Sequence, residues 1–558
     1  MICEQVRNPV LGVRALGLLA VCLLAVCGCN GQSASHRPAS GEDSAGVTNE
    51  AGSSGAADRG AVANSAAQSR AEVPRSENPQ LGAFLADWSP PAAAILLTGE
   101  QTGRLEPCGC SERQSGGLSR RADFARQLRE RGWPVTGFDL GGAVQRNRRQ
   151  SELKYEFTRD ALNRIGYQGL GFGLQDLRFG PEKLYDWVTR TNVEPGFDVP
   201  FLSANVTFFD TREIGTPISY RVVTVGDVKI AVTSVFGLSY LPDLFPGAVN
   251  PNPTEIRIDV PAEVLPSVVE QMQAEQPDVM LLMAYAKPDE SRELAKAFPQ
   301  FDLVVTAGGP EDPDGQAESV NQALLLRVGT KGKNCGIVGY YPAAEDGKKF
   351  RFEVVELDRF RFGHAEAIDE RMWVYQQQLQ AENLLETEPA IVHPRGSDVQ
   401  FVGSEKCAAC HADAYNVWEG SEHHLHGFES LTVAYAQASD DPSLAARVRV
   451  DRIHDPECIC CHTAGWDPQE VLRFETGYFS ETGSAHLKGV HCESCHGPGS
   501  RHVEREESGN AVEADLLVER AGLSIRKQEA EAKVCLKCHD HENSPDFEFE
   551  KYWAQIEH

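Results

Sequence analysis

Between Cys407 and His539 the chain repeats one short pattern four times: Cys407-Ala-Ala-Cys410-His411, Cys458-Ile-Cys-Cys461-His462, Cys492-Glu-Ser-Cys495-His496 and Cys535-Leu-Lys-Cys538-His539. Nine of the sixteen cysteines fall in this C-terminal stretch. The spacing has a chemical reason. Two thiols three residues apart can add to the two vinyl groups of one haem, and the histidine that follows reaches the iron from one face. Structural zinc is the competing reading, because pairs of C-x-x-C also build tetrahedral sulfur sites. Zinc accounts for the cysteine pairs but not for a histidine directly after every pair. Size points the same way, since roughly 160 residues of modest apolar content make a poor core unless four porphyrins supply much of it.

If the units hold four covalent haem c groups, with His411, His462, His496 and His539 as proximal ligands, the second iron ligands can be narrowed by composition. All five methionines lie at or before Met372, so His-Met ligation inside this region is excluded and histidine must serve. Nine histidines outside the units are candidates: His423, His424, His426, His454, His486, His491, His502, His541 and His558. For any one of them a solvated surface imidazole is the competing reading.

The stretches "CAACHADAYNVWEGSEHH" and "GVHCESCHGPGSRH", with the order of the units, resemble the tetrahaem cytochrome c-554 family over nearly all of Phe401 to His558. The resemblance implies distal ligands at His423, at His502, which it directs to the first haem, and near the C-terminus, where His558 is the natural candidate. It also implies a five-coordinate second haem, on Cys458, Cys461 and His462. His454 and His486 lie near that unit, so the vacancy stays open and His486 remains a distal candidate. Cys460, inside the second unit, reads as a buried bystander.

The N-terminus reads as a targeting segment. Arg7 and Arg14 precede "ALGLLAVCLLAVCGCN", an apolar run of export-signal length. It ends in Val26-Cys27-Gly28-Cys29 and looks like a bacterial lipobox, which would make Cys29 the lipidated first residue of the mature protein. Cys22, Cys27 and an ordinary cleaved signal peptide are the alternatives. Residues 30–91 are mostly Ser, Ala, Gly and polar, too poor in large apolar side chains to order, and read as a tether holding the body off a membrane.

Residues 92–358 alternate short apolar runs with helical periodicity. "AAAILLTG", "VTGFDLGG", "VPFLSANV", "KIAVTSVFG", "DVMLLMAYA" and "FDLVVTAGG" read as buried strands, and Leu118 to Arg131, Glu152 to Ile165 and Ala262 to Glu275 as helices. Alternation of this kind implies an α/β layered domain. "ALLLRVG", "NCGIVGYY" and "FRFEVVELD" close it. Residues 359–399 read as a connecting helix and loop, and 400–558 as a mainly α-helical, loop-rich tetrahaem domain.

The order "TGEQTGRLEP", "FDLGG", "IGYQGLGFGLQDLRFG", "FLSANV", "LLMAY" and "VVTAGG" resembles the metal-dependent phosphoesterase domain of the 5′-nucleotidase family. That resemblance implies a two-metal centre at strand ends. The chemistry is missing. Thr102, Gly142, Leu174 and Tyr285 stand where ligands would be needed, Gly309 and Glu311 replace the last histidines, and residues 92–358 contain no histidine at all. A degenerate, non-hydrolytic scaffold is therefore expected. Beside it, "EPCGCSERQSGG" carries Cys108 and Cys110, which could cycle as a redox pair favoured by Arg104 and Arg113. A structural disulfide, with Cys335 as one partner, or an unused remnant are the alternatives.

A formal net charge of −28 argues against a nucleic-acid partner, because a phosphate backbone is held by clustered Lys and Arg. The expectation is an exported electron carrier that meets redox partner proteins at the periplasmic face. A haem enzyme working at an open second iron, and a phosphoesterase with a rearranged metal site, are the other two readings.

Overall fold

The computed structural model describes residues 84–107, 114–193, 198–212, 215–247, 252–344, 347–440, 444–445 and 448–558. Cys22, Cys27 and Cys29, nearly all of the tether, and the pair Cys108 and Cys110 lie outside these residues.

The strands of the N-terminal part are β1 (Ala93–Thr98), β2 (Val135–Asp139), β3 (Tyr167–Leu170), β4 (Val206–Phe208), β5 (Tyr220–Val225), β6 (Val228–Phe236) and β7 (Ile256–Ile258). Then follow β8 (Val279–Tyr285), β9 (Leu303–Thr306), β10 (Glu318–Val320), β11 (Ala323–Arg327), β12 (Asn334–Tyr340) and β13 (Phe350–Glu356). They form two main sheets. One has the order β13-β12-β1-β2-β3, with β1, β2 and β3 parallel and β12 antiparallel to β1. The other has the order β10-β11-β9-β8-β6-β5, parallel through β11, β9, β8 and β6. Every residue of β1, β8 and β12 is buried, which is why these strands are continuous apolar runs in the sequence. "VPFLSANV" supplies only isolated bridges at Phe201 and Leu202 before β4 begins. The edge strand β5 is half-exposed on most of its residues, and its mixed sequence gives no such run.

Helices Leu118–Glu130, Arg149–Ile165 and Pro261–Ala274 form where the three- and four-residue periodicity places them. The second stops at Gly166, whose left-handed φ of 99° lets its N–H close the last turn on Leu162 and Asn163.

Two segments pack more deeply than their sequence suggests. Phe84 and Leu85, within the stretch read as tether, are buried, and the Phe84 ring meets Phe124 and Phe362 at 5.5 and 5.1 Å. The helix Glu366–Glu382, read as a connector, puts Ile368, Met372, Tyr375 and Leu379 into the core of the α/β part. Those four positions make one narrow apolar stripe, easily overlooked on a mostly polar helix.

From Ser404 onward the chain is short helices and turns with one two-stranded ribbon, Trp466–Asp467 with Leu472–Arg473. Its apolar cluster, around Phe401, Phe428, Ile459, Trp466, Phe474 and Tyr478, ends at Leu487. From Lys488 to His558 the only buried apolar side chains are Pro498 and Ala530. So few buried apolar side chains make a poor core for a segment of that length.

Polar contacts join this part to the α/β part. Gln150 and Gln376 donate to Asp455 at 2.7 and 2.9 Å, Lys154 pairs with Glu457, and Arg452 with Glu106. Arg146 and Arg148 donate to the Gln469, Glu470 and Val471 carbonyls at 2.7 to 3.0 Å.

Candidate haem-binding site

Each C-x-x-C-H unit sits on a single helical turn. The second lies in helix Pro456–His462, whose first turn is capped by Asp455 accepting the Glu457 N–H at 3.1 Å. The third forms Cys492–His496. In the first and fourth, the histidine N–H closes on the leading cysteine carbonyl, His411 on Cys407 at 2.9 Å and His539 on Cys535 at 2.8 Å. One turn therefore carries both thiols and the imidazole on adjacent positions of one face.

The Nδ1 atoms of three of these histidines are already engaged. His462 Nδ1 bonds the Gly427 carbonyl, His496 Nδ1 the Leu523 carbonyl at 2.6 Å, and His539 Nδ1 the Ser544 hydroxyl at 3.0 Å. An imidazole held this way by Nδ1–H presents a lone pair at Nε2, the arrangement that orients a metal-ligating histidine.

Three of the four face a second histidine. The His411 and His502 ring centres are 6.3 Å apart, those of His539 and His423 5.9 Å, and those of His496 and His558 5.8 Å. A metal held between two imidazole nitrogens, each about 2 Å away, sets ring centres about 6 Å apart. The spacing fits an iron between each pair. Burial, and then the neighbouring His539 and His462, push His423 down to about 4, so that it is neutral with a lone pair to offer.

His486 is exposed in the turn Ala485–Leu487 and pairs with none of the four proximal rings. His491 is spent on structure, with Ser404 on Nδ1 at 2.9 Å and the Lys488 carbonyl on Nε2 at 2.8 Å.

Residues 406–497 match the family described as cytochrome c554 and c-prime. Cytochrome c-554 of Nitrosomonas europaea is 31% identical over 158 residues, 27% of this chain and 62% of that protein, so the chain spans under two thirds of the relative it matches. The C-terminal part resembles this family, which implies covalently bound haem c, and the histidine pairs and the missing core described above are what such groups require. For the N-terminal part, solved structures with a similar arrangement include the sulfate thiohydrolase SoxB of Thermus thermophilus, at 15% identity, 53% of this chain and 62% of that one, TM-score 0.44. Others are a 5′-nucleotidase precursor from Thermus thermophilus, at 16%, 64%, 80% and 0.44, and the calcineurin-like phosphoesterase YfkN of Bacillus subtilis, at 15%, 51%, 97% and 0.40. At these TM-scores nothing about activity is transferred from them.

The units meet in a definite order. Cys407 lies close enough to Cys492, Cys538 to Cys461, and Cys495 to Cys535 and Cys538 for their charges to interact. First therefore adjoins third, third adjoins fourth, and fourth adjoins second. Glu493, the second residue of the third unit, fixes part of this. Its buried carboxylate accepts the Val402 and Gly403 N–H groups just ahead of the first unit, and the Gly499 N–H just ahead of the helix Ser500–Glu507 that carries His502. Neither Glu493 nor Ser544 stands out in the sequence, since each is an ordinary polar residue whose partners come from elsewhere in the chain. Cys460 is buried against the Glu457 carbonyl at 3.3 Å, a bystander in geometry.

The strand ends where the phosphoesterase resemblance implies metals are filled with protein. Asp176 accepts the Gly142, Ala143 and Gly173 N–H groups at 2.7, 3.0 and 2.8 Å. Tyr285 packs so closely that a Cβ on Gly142 would lie 3.2 Å from its ring. Asp139 accepts Thr98 and the Gly141 N–H, with the buried Arg121 guanidinium 3.8 Å away as its counter-charge. Glu100 is held in a left-handed conformation, φ 48°, and accepts the Gly308 N–H at 3.0 Å. Among the described residues no three His, Cys, Asp or Glu side chains converge as metal ligands. Cys335 is a free thiol buried in β12 and pushed up to about 12 by burial.

Proposed function

We propose that this chain is an exported tetrahaem c-type cytochrome that carries single electrons, anchored to a membrane through lipid on Cys29 and held off it by the tether of residues 30–91. The observation that carries the reading is the three histidine pairs, each joining a C-x-x-C-H histidine to one far away in sequence at the spacing an iron requires. Cys407, Cys410, Cys458, Cys461, Cys492, Cys495, Cys535 and Cys538 would attach the four groups, and His411, His462, His496 and His539 would bind from one side. His502, His558 and His423 would bind from the other at the first, third and fourth units. Covalently bound haem c supplies reversible one-electron oxidation and reduction of its iron. The chain's own work is to hold, orient and order the four units. The α/β part is a scaffold without hydrolytic activity, and the partners are redox proteins, not nucleic acid. No helix among the described residues is long and apolar enough to cross a membrane.

The resemblance to the cytochrome c-554 family, which implies a five-coordinate second haem, supports a second reading in which an open iron at the second unit binds a small nitrogen or oxygen species. Mass measurement and electron paramagnetic resonance on protein from a cytochrome c maturation-competent host test both. Four haem masses, three low-spin irons and one high-spin iron that takes up cyanide or nitric oxide are expected. Fewer than four attached groups, with free or zinc-bound C-x-x-C thiols, refutes the tetrahaem reading.

A further inference from the structure

We infer that the edge of the α/β part has become a clamp for the fourth haem unit, with Glu542 as the residue it grips and His539 as the ligand it positions. In open α/β sheets the loops beyond the carboxyl ends of the strands are where ligands are held. Here the loop leaving β1 carries Arg104, and the loop entering the antiparallel neighbour β12 carries Lys331. Both pair with the Glu542 carboxylate, one on each oxygen, and the Gln114 amide donates to the Glu542 carbonyl. Glu542 is three-quarters buried or more by this grip, and Arg104 and Lys331 are nearly as covered, so the contact is well shielded from water.

Both cations are themselves braced. The Lys331 N–H donates to the Glu100 carbonyl at 2.8 Å, and the Arg104 carbonyl accepts the Gln101 amide, whose oxygen accepts from buried Arg121. On the other side, Glu542 belongs to a tight turn. Asp540 accepts the Glu542 and Asn543 N–H groups at 3.0 and 2.7 Å, and the Ser544 N–H donates to the Asp540 carbonyl at 2.8 Å. That turn presents the Ser544 hydroxyl to His539 Nδ1. A continuous run of polar contacts thus leads from the sheet edge to the iron-binding histidine. Loosening the clamp would weaken the Ser544 bond, and an imidazole that loses such a partner is a weaker donor to the metal.

The inference rests on the tetrahaem reading, and the test separates the two. Glu542→Gln, Lys331→Ala and Ser544→Ala are compared with the parent full-length holoprotein by redox titration and haem count. If the clamp positions His539, all three move the same single reduction step upward and leave the other three in place. That step is also the one moved by His423→Ala, which marks the iron facing His539. If only local charge mattered, Glu542→Gln would raise the step and Lys331→Ala, which removes a positive charge, would lower it. Opposite movements, or unchanged steps in a variant that carries four haems, overturn the inference. A parent protein with fewer than four haems overturns the tetrahaem reading instead. Should Glu542→Gln fail to accumulate, Lys331→Ala and Ser544→Ala carry the same comparison.

Discussion

Replacing Glu493 with glutamine is the sharpest probe of how the first and third units are held. The carboxylate is 3% exposed. One oxygen accepts Gly499 at 2.7 Å and Val402 at 3.0 Å, and the other accepts Gly403 at 2.7 Å and Val402 at 2.8 Å. Glutamine has a single acceptor oxygen, so it keeps one side of this set and turns an NH2 group against the N–H on the other. Losing a charge-assisted bond costs about 1.5–3 kcal/mol, and the stranded N–H adds a comparable penalty. Burial raises the Glu493 carboxyl above its ordinary range, so removing the buried charge returns part of that cost. The net is about 2 kcal/mol, roughly thirtyfold in the local opening equilibrium. Because Gly499 leads directly into the helix bearing His502, the opening should free His502 from the iron on His411. Guanidinium unfolding followed in the haem absorption band should show an earlier midpoint, and electron paramagnetic resonance a new high-spin fraction. An unchanged midpoint together with an unchanged spectrum would refute this account of Glu493.

His502→Ala should leave four attached haems and convert one low-spin iron to high-spin; a spectrum and reduction steps identical to the parent would return His502 to the protein surface. Asp176, pushed up to about 6 from 3.8 by burial, should make the α/β part pH-sensitive. Its native carboxyl binds a proton more tightly than the unfolded one, so stability rises as pH falls from about 6 to 4, by up to about 3 kcal/mol relative to the pH-insensitive Asp176→Asn. Hydrogen exchange across β1 to β3 reads this, and a difference that is flat in pH would falsify it. Purified protein given manganese and a nucleotide should release no phosphate; turnover lost on Glu100→Ala would show that the filled strand ends still catalyse.

What the sequence revealed and what it hid divide along a physical line. β1, β8 and β12 were legible because burial on both faces forces an unbroken apolar run, and the four C-x-x-C-H units were legible because each places its Cys and His within one helical turn. The histidines that lie opposite the unit histidines were legible only in part. His423, His502 and His558 could be named through a resemblance, but which proximal ring each one faces depends on turns such as Gly497-Pro498-Gly499, whose direction Glu493 sets through backbone N–H groups that carry no sequence signal. His486 illustrates the cost of proximity in sequence: it lies six residues ahead of Cys492, yet its turn leaves the ring exposed. The joint between the two parts was invisible for the same reason. Gln150, Lys154, Arg104 and Lys331 are unremarkable polar residues on helices and loops of the α/β part, and Asp455, Glu457 and Glu542 are unremarkable acids beside the second and fourth units. Together they are complementary, and complementarity between distant segments is a property of the fold. All these contacts fall on the second and fourth units, which adjoin each other through Cys461 and Cys538. The α/β part therefore braces two neighbouring units at once, through Asp455 and Glu457 at the second and Glu542 at the fourth.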